Sequence, residues 1–376
     1  MAMLFMDSFD HYDQSGSGTN PSGTTQKWDY ILTTPTTNTG LARTGARCMR
    51  CNANQEMGKI IHATGSNSIA FTAGFAFMRE SGNALSSNTT ICCFKSNSTT
   101  EQLSLCMTST GLLHVRQGSA SGTLLSTSNA APFSTGSYHY IEFKGVMTNG
   151  AAGSYEVRVD GSAIAMDAAN PRSSVNTAAS AVGCTIFSIE TDNVFSSGSF
   201  LYDDLIVHDD QGGVNNGFLG DLKVNCVLPT VDGNWEVWDR STGTDSWELV
   251  NDPQSSSPCP NGDTDYISTT NTAANTRSSF TFTAISSVGG PKAVQCTTSS
   301  KTDTGSATVN VFTRIGGTDY EGTGAVVGAT TYTMLNDPAT SIVQGKRTIW
   351  DNSPATNTTW TLVELNGAEF GVRRTA

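Results

Sequence analysis

The chain is punctuated. Short runs of alternating apolar and polar residues stop every ten residues or so at a Gly, Asn or Ser cluster. The cleanest run has Tyr155, Val157 and Val159 apolar, Glu156 and Arg158 charged between them, and an Asp160-Gly161 turn at its end. A period of two places one set of side chains on each face of a strand. Segment 137–145 alternates similarly around Tyr138, Tyr140, Ile141 and Phe143, and strand-like runs recur at 69–78, 103–107, 112–115, 185–189 and 200–207. Ser81-Gly82-Asn83, Gln117-Gly118-Ser119 and Thr148-Asn149-Gly150 separate them. No stretch carries a helical stripe. Many short strands with regular turns predict an all-β protein, a sandwich or a barrel.

The pattern breaks at Leu228-Pro229-Thr230-Val231-Asp232-Gly233-Asn234, and Trp235, Trp238 and Trp247 follow closely. Beyond the Pro/Ser-rich 251–261, strand-like runs resume at 279–285, 293–297, 307–314, 330–335 and 360–365. The expected organisation is a large β-sandwich over 1–228 and a smaller β domain over 229–376, with no repeat of fixed period.

Composition narrows the function classes. Charged residues make up 14% of the 376, Ser plus Thr number 95, and Gly adds 37. Ordinary soluble domains carry about a quarter charged residues, and helical bundles need far more Ala, Glu, Lys and Leu. A formal net charge of −12 argues against nucleic acid as a partner, because a phosphate backbone requires clustered Lys and Arg. No apolar run approaches the ~18 residues of a membrane-spanning helix, so no membrane partner is expected. Six apolar residues precede Asp7 without a basic region, too few for a signal peptide, so synthesis in a cytoplasm is expected.

There are nine cysteines. An odd number leaves at least one thiol free, metal-bound or paired with another chain. Cys48-x-x-Cys51 resembles half a zinc site, but adjacent Cys92-Cys93 has the wrong spacing for the other half, and no βαβ pattern supports a redox pair. Two readings stay open: small buried hydrophobes, or disulfides within and between subunits. The candidates for the latter are Cys48, Cys51, Cys92, Cys93 and Cys259, the last in a Pro-rich loop.

Catalytic patterns are sparse. Gly118-Ser119-Ala120-Ser121-Gly122 has Ala where a nucleophile elbow needs Ser. The five histidines have no motif-level partner, and Gly322-Thr323-Gly324-Ala325 is only a fragment of a dinucleotide fingerprint. Glu190-Thr191-Asp192-Asn193-Val194-Phe195 begins like the Glu-x-Asp-x-x-Glu strand of laminarinase-like glucanases. It ends in Phe195, without the carboxyl that would protonate a leaving group. Asp203, Asp204, Asp209 and Asp210 could offer oxygens to Ca²⁺, but a solvated strand end is the simpler reading. Trp235, Trp238 and Trp247 could stack on sugar rings, though core packing is the commoner use. No cofactor is expected.

Two segments carry a family resemblance. The opening Leu4-Phe5-Met6-Asp7-Ser8-Phe9-Asp10-His11-Tyr12, with Lys27-Trp28, is one. The other is Leu201-Tyr202-Asp203-Asp204-Leu205-Ile206-Val207, continuing through Asn215-Asn216-Gly217-Phe218-Leu219-Gly220-Asp221-Leu222-Lys223-Val224 to Leu228-Pro229. Together they resemble tailed-bacteriophage virion proteins with a concanavalin A/laminin-G-like jelly-roll domain followed by a Trp-rich β domain. Asp263-Thr264-Asp265-Tyr266-Ile267 and Glu369-Phe370-Gly371-Val372 are similar too. The specific motifs cover about 50 residues. Ser8 departs from the Gly usual there, and the middle of the chain matches nothing in the family. The resemblance implies a concanavalin-like jelly-roll β-sandwich followed by a smaller β-sandwich, with the first and last strands of the jelly roll paired. Asp7 and Asp10 would then cap turns while Phe5 and Phe9 point inward. It further implies a non-enzymatic decoration, collar or tail-associated subunit on the virion, exposed to the medium and bound to other virion proteins and to copies of itself. Interchain disulfides could reinforce such contacts. The rival expectations are a receptor-binding module for a host surface glycan and, less favoured, a glycoside hydrolase.

Overall fold

The computed structural model describes residues 3–12, 27–33, 35–62, 70–179, 184–251, 265–273, 276–286, 289–328, 333–334 and 348–376. It is nearly all β, with antiparallel sheets of the sandwich type. The chain forms two compact units, the first ending at Val224 and the second running from Asn225 to Ala376 and including His11, Tyr12 and Lys27.

The first unit pairs two large sheets. One runs β14 (Ser162–Ala163), β13 (Gly153–Val159), β12 (His139–Val146), β6 (Ala70–Arg79), β18 (Phe200–Asp209), β4 (Cys48–Cys51) and β3 (Thr36–Asn38). To it are added β1 (Met3–Asp7) on β18 and β15 (Arg172–Val175) on β13. The other runs β11 (Thr123–Thr127), β10 (Leu113–Gln117), β9 (Thr100–Met107), β8 (Thr89–Asn97), β16 (Ile186–Thr191), β5 (Gln55–Ile60) and β2 (Tyr30–Leu32). A short ribbon joins β7 (Ala84–Leu85) to β17 (Phe195–Ser197). The two sheets face each other through aromatic rings. Phe94 of β8 meets Phe71 of β6 at 6.0 Å and Phe143 of β12 at 5.7 Å, and Phe75 of β6 meets Phe187 of β16 at 6.5 Å. Each aromatic removes a large apolar area from water, and offset or edge contacts add to that.

The two resembling segments lie side by side. β1 pairs antiparallel with β18, Phe5 opposite Val207 and Asp7 opposite Leu205. Phe5 and Phe9 are buried and meet Trp28, the first edge-on at 5.1 Å and the second stacked at 6.3 Å. The Asp7 carboxylate accepts the Phe9 N–H and the Trp28 indole N–H, each at 2.9 Å. Asp10 accepts the backbone N–H groups of Ala46 and Arg47 at 2.6 and 2.9 Å. Gly45 lies beside it with φ +61, where a Cβ would fall 2.1 Å from the Asp10 carboxylate, so glycine serves both the conformation and the close approach.

Strand β18 exchanges neighbours midway, pairing with β4 over 200–202 and with β1 over 205–208. Its register against β6 shifts between Asp203 and Ile206, and Asp204 sits at φ 50. The irregularity turns both carboxylates toward donors. Asp203 accepts the N–H groups of Arg43 and Thr44, while Asp204 accepts the Thr44 hydroxyl, the Arg43 guanidinium and the Val224 N–H. Arg43 also donates to the Leu222 carbonyl and pairs with Asp221. Glu142 accepts Leu219 and Gly220 N–H groups, and Arg158 lies 3.9 Å over the Phe218 ring. The segment after β18 is thereby strapped across the outer side of the nine-stranded sheet.

In the second unit a five-stranded sheet runs β19 (Pro229–Glu236), β22 (Arg277–Phe282), β29 (Glu369–Arg374), β25 (Ser306–Ile315) and β26 (Thr318–Gly328). The short pairs are β20 (Asp239–Arg240) with β21 (Ile267–Ser268), β23 (Val294–Gln295) with β28 (Ile349–Trp350), and β24 (Ser299–Ser300) with β27 (Thr333–Met334). Ala307, Val309, Val311, Val327 and Val372 form one apolar face, packed by Trp238, Ile267, Cys296 and Trp350 from those pairs and the β19–β20 connection. The run at 360–365 is not a strand as its pattern predicts. Thr361 caps a short helix α1 (Leu362–Asn366), its hydroxyl accepting the Glu364 N–H. Thr-x-x-Glu favours a helix start over a strand. The expected strand at 330–335 falls outside the described residues except for Thr333 and Met334.

His208 of β18 is 1% exposed, and neither ring nitrogen has a hydrogen-bond partner among the described residues. Burial lowers its pKa to about 4. The folded state therefore holds the neutral ring while the unfolded chain takes up a proton below pH 6.5, so stability is lost as pH falls from 6.5 toward 4. At pH 5 the loss is about 2 kcal/mol. His208→Gln is expected to lose less thermal stability than the parent between pH 7 and pH 5. An equal loss in both proteins, measured by calorimetry, would remove His208 as its source.

Candidate functional site

The outward side of the seven-stranded sheet is polar where a sandwich needs only solubility. Residues directly opposite in antiparallel strands point to the same side. The register draws one transverse row across six strands: Arg116, Ser104, Cys93, Ser188, Gly58 and Tyr30. None of these is a large apolar residue, because Phe94, Leu103, Leu105, Phe187 and Ile189 take the inward positions. Tyr30 lies across the row's end. Its ring occupies the space beside Gly58, where a Cβ would come within 2.0 Å of it, so only glycine admits the ring.

Acids and a base flank the row. Glu190 of β16 stands opposite Glu56 of β5, and Lys95 of β8 opposite Glu101 of β9. Like charges directly opposite destabilise a sheet. Lys95 relieves this: its ammonium reaches diagonally to Glu190 Oε2 at 2.7 Å, contacts Glu56 Oε1, and lies 3.6 Å from Glu101. The Tyr30 hydroxyl is 2.7 Å from both Glu56 Oε1 and Ser188 Oγ. The centre is buried, with Lys95 2% exposed and Glu56 and Glu190 each 8%. Tyr30, Glu101, His114 and Arg116 are half-buried around it.

Burial sets the proton positions. It raises the Glu190 carboxyl to about 7, the nearby Lys95 ammonium opposing and Glu56 reinforcing the shift. It raises the Tyr30 phenol as well. Burial works against the charge on Lys95, yet the groups around it, Cys93 and Glu190 foremost, raise its pKa overall. Near neutrality the cluster thus holds a fixed cation and a Glu190 carboxyl shifted toward its neutral form. His114 is lowered by burial and by Arg116, and its Nδ1 lies 3.1 Å from that guanidinium.

The half-motif Glu190-x-Asp192 lies beside this face. Asp192 is engaged by backbone, accepting the Thr90 N–H at 2.7 Å. The second carboxyl missing from the linear pattern is supplied across the sheet by Glu56, a pairing that no sequence spacing encodes. Lys95 stands between the two carboxyls. Hydrolysis through this pair would require the ammonium to leave the gap that a sugar's anomeric carbon must enter.

The other expected site residues are placed as follows. Cys48, Cys51, Cys92 and Cys93 are buried free thiols, which corrects their reading as bridges between subunits, since a bridge needs a reachable sulfur. Strand geometry also separates them, because residues one or three apart point to opposite faces. Burial raises the Cys48 thiol to about 12 and those of Cys51, Cys92 and Cys93 likewise above their usual value. Cys259 lies outside the described residues. Asp203 and Asp204 are held by the donors named above, Asp209 is 3.1 Å from His62 Nε2, and Asp210 accepts from Gln211. Among the described residues no group of three His, Cys, Asp or Glu is arranged to hold a metal ion, so the Ca²⁺ candidates do not converge. Trp235 carries Arg277 and Arg314 at 5.7 Å from its ring and donates to Asp319, Trp238 packs against the apolar face of its sheet, and Trp247 sits in a 3-10 turn whose N–H is held by Asp232.

Two outcomes check this account. Lys95→Met is expected to destabilise the protein by about 3–5 kcal/mol in denaturant titration, because buried carboxylates lose their partner, and adding Glu190→Gln should recover part of that. Thiol labelling at pH 8 should modify Cys48, Cys51, Cys92 and Cys93 only after denaturation. Rapid labelling of any of the four in the native protein contradicts their burial.

No known family's sequence profile matches the chain, and no curated protein matches it in sequence. Some solved structures resemble part of it. An endo-β-1,4-glucuronan lyase from the fungus Trichoderma reesei is 14% identical, with TM-score 0.38 over 52% of this chain and 95% of that one. The alginate lyase vAL-1 from Chlorella virus is 10% identical, with TM-score 0.37 over 50% and 94%. For the Trypanosoma rangeli sialidase the figures are 12% and 0.32, and the match spans 52% of this chain but only 30% of the sialidase. The expectation of a non-enzymatic protein is corrected here: the solved structures it partly resembles are lyases and a sialidase, and no ground remains for excluding catalysis. At these identities and TM-scores the likeness assigns neither reaction nor substrate.

Proposed function

We propose that the first unit binds carbohydrate on the outer face of its seven-stranded sheet. The observation that carries this reading is the transverse row with its flanking cluster: hydroxyls, carboxylates, an ammonium and a tyrosine ring on one sheet face, half-buried at the rim. Sugar hydroxyls both donate and accept, so a recognition surface needs mixed, fixed partners, and charged acceptors give the stronger hydrogen bonds. Preorganisation matters equally, since side chains already locked in place lose little freedom on binding. Lys95 and Tyr30 hold Glu56 in that way. A glycan array with the whole chain tests the reading. Glycan binding is expected, and Glu101→Ala at the rim should weaken it about tenfold, a difference of 1.4 kcal/mol. No binding to any glycan would sink it.

A second reading, a virion subunit packed against other virion proteins and copies of itself, is favoured by one observation. The two segments that resemble tailed-phage virion proteins form a single strand pair, β1 with β18. Few charges on a Ser/Thr-rich surface would ease desolvation in such contacts. Mass spectrometry of purified particles should find the chain at a fixed copy number. Its absence from particles would end this reading.

A further inference from the structure

We infer that Ser134, His139 and Asp160 form a hydrolytic triad that cleaves small acyl esters. The triad is separate from the polar cluster of the seven-stranded sheet and does not rest on the carbohydrate reading. Two contacts define it. His139 Nε2 lies 3.0 Å from Ser134 Oγ, and His139 Nδ1 lies 2.8 Å from Asp160 Oδ2. A hydroxyl on one ring nitrogen and a carboxylate on the other is the arrangement through which an imidazole activates a serine nucleophile.

The fold positions each group. His139 opens β12, and the Phe133 ring lies 5.6 Å from its imidazole between centres, itself meeting Phe77 at 5.2 Å. Asp160 follows directly on β13, at φ 52. Its N–H donates to the Tyr140 carbonyl and its Oδ1 accepts the Tyr140 N–H, both at 2.8 Å, which leaves Oδ2 for the ring. Ser134 belongs to the exposed loop before β12, and its own backbone N–H donates to Nε2 at 3.2 Å. An amide N–H only donates, so Nε2 carries the lone pair and the ring proton sits on Nδ1, given to Asp160. That is the tautomer a general base needs. Spacing along the chain conceals the set, because its third member comes from the far end of the next strand.

The reaction follows from the geometry. Ser134 Oγ attacks the carbonyl carbon of an ester while its proton passes to His139 Nε2. The tetrahedral adduct collapses, the bond to the alcohol oxygen breaks, and that oxygen takes the proton from Nε2. Water then attacks the acyl-serine, its proton passing to Nε2 and on to Ser134 Oγ as the carboxylic acid leaves. Water is the one co-reactant. Thr135, the residue after the nucleophile, is exposed, and its N–H donates to no group among the described residues, so it is open to the developing oxyanion. Around the nucleophile the loop presents exposed Thr135, Gly136 and Ser137 rather than an apolar cleft, which suits an acetyl-sized acyl group. The Asp160 side chain is 55% exposed, and water weakens its hold on an imidazolium, so turnover is expected to be modest.

The test treats the full chain with a fluorophosphonate, which phosphonylates activated serines, and maps the product by peptide mass spectrometry. Hydrolysis of p-nitrophenyl acetate is followed in parallel. Modification is expected at Ser134 and should disappear in His139→Gln. Ser134→Ala and His139→Gln should each lower kcat/KM about a hundredfold with circular dichroism unchanged. Asp160 is a positioning residue, acting through the ring. Asp160→Asn keeps a residue tolerated at positive φ and should lower kcat about tenfold with KM unchanged. Hydrolysis that persists in Ser134→Ala, or a fluorophosphonate that leaves Ser134 unmodified, overturns the inference. Full activity in Asp160→Asn removes the third member and overturns the triad. Faster cleavage of p-nitrophenyl octanoate than of the acetate overturns the substrate class.

Discussion

The ring of Phe94 sets the terms for the rest of the first unit. It meets Phe71 and Phe143 of the facing sheet and Phe187 on the neighbouring strand, at 5.7–6.0 Å between ring centres. A strand has only two faces. Once Phe94 is committed inward, Cys93 and Lys95 are committed outward, and the pairings of β8 carry that choice to Ser104 and Glu101 on one side and Ser188 on the other. The polar face is thus the necessary reverse of the aromatic core, and its composition was free to vary in a way the core's was not.

What occupies that face is costly. Three carboxyls and an ammonium in and around a buried patch must meet one another or give up charge. The structure uses both solutions. Lys95 satisfies Glu56 and Glu190 at once, and the remaining cost of burial appears as the raised proton affinity of Glu190. Tyr30 adds a donor to Glu56, and glycine at position 58 makes room for it. Perturbed groups of this kind are common at functional sites and also occur in purely structural networks. The half-exposed rim of Tyr30, Glu101, His114 and Arg116 argues for the former.

Much of the fold was legible as period and punctuation. Tyr155, Val157 and Val159 are inward residues of β13, and the strand ends where Asp160-Gly161 turns. The pairing of β1 with β18 followed from the resembling segments. At Thr361 to Glu364 the capping pattern overrides the apolar spacing and starts a helix. The site was hidden for another reason. Glu56, Lys95 and Glu101 each look like one charged residue on a solvated strand face, and only register across four strands makes them a cluster. Cys48 and Cys51, three apart on one strand, point to opposite faces, so their spacing along the chain does not make them a pair.

The buried charges also help to explain why the sheet has one register. A one-residue slip of β8 would turn Lys95 into the aromatic core and Phe94 out to water. An apolar residue at position 95 would tolerate such a slip, whereas an ammonium pressed among phenylalanines could not stay charged. The carboxylates on β5 and β16 reinforce the restriction from the other side, because without Lys95 they face each other unrelieved. An ion network that adds little to net stability can therefore still select one arrangement by making its neighbours intolerable. The same selection holds Glu56 and Glu190 at fixed buried positions on one side of the sheet, with Glu101 at its half-buried rim.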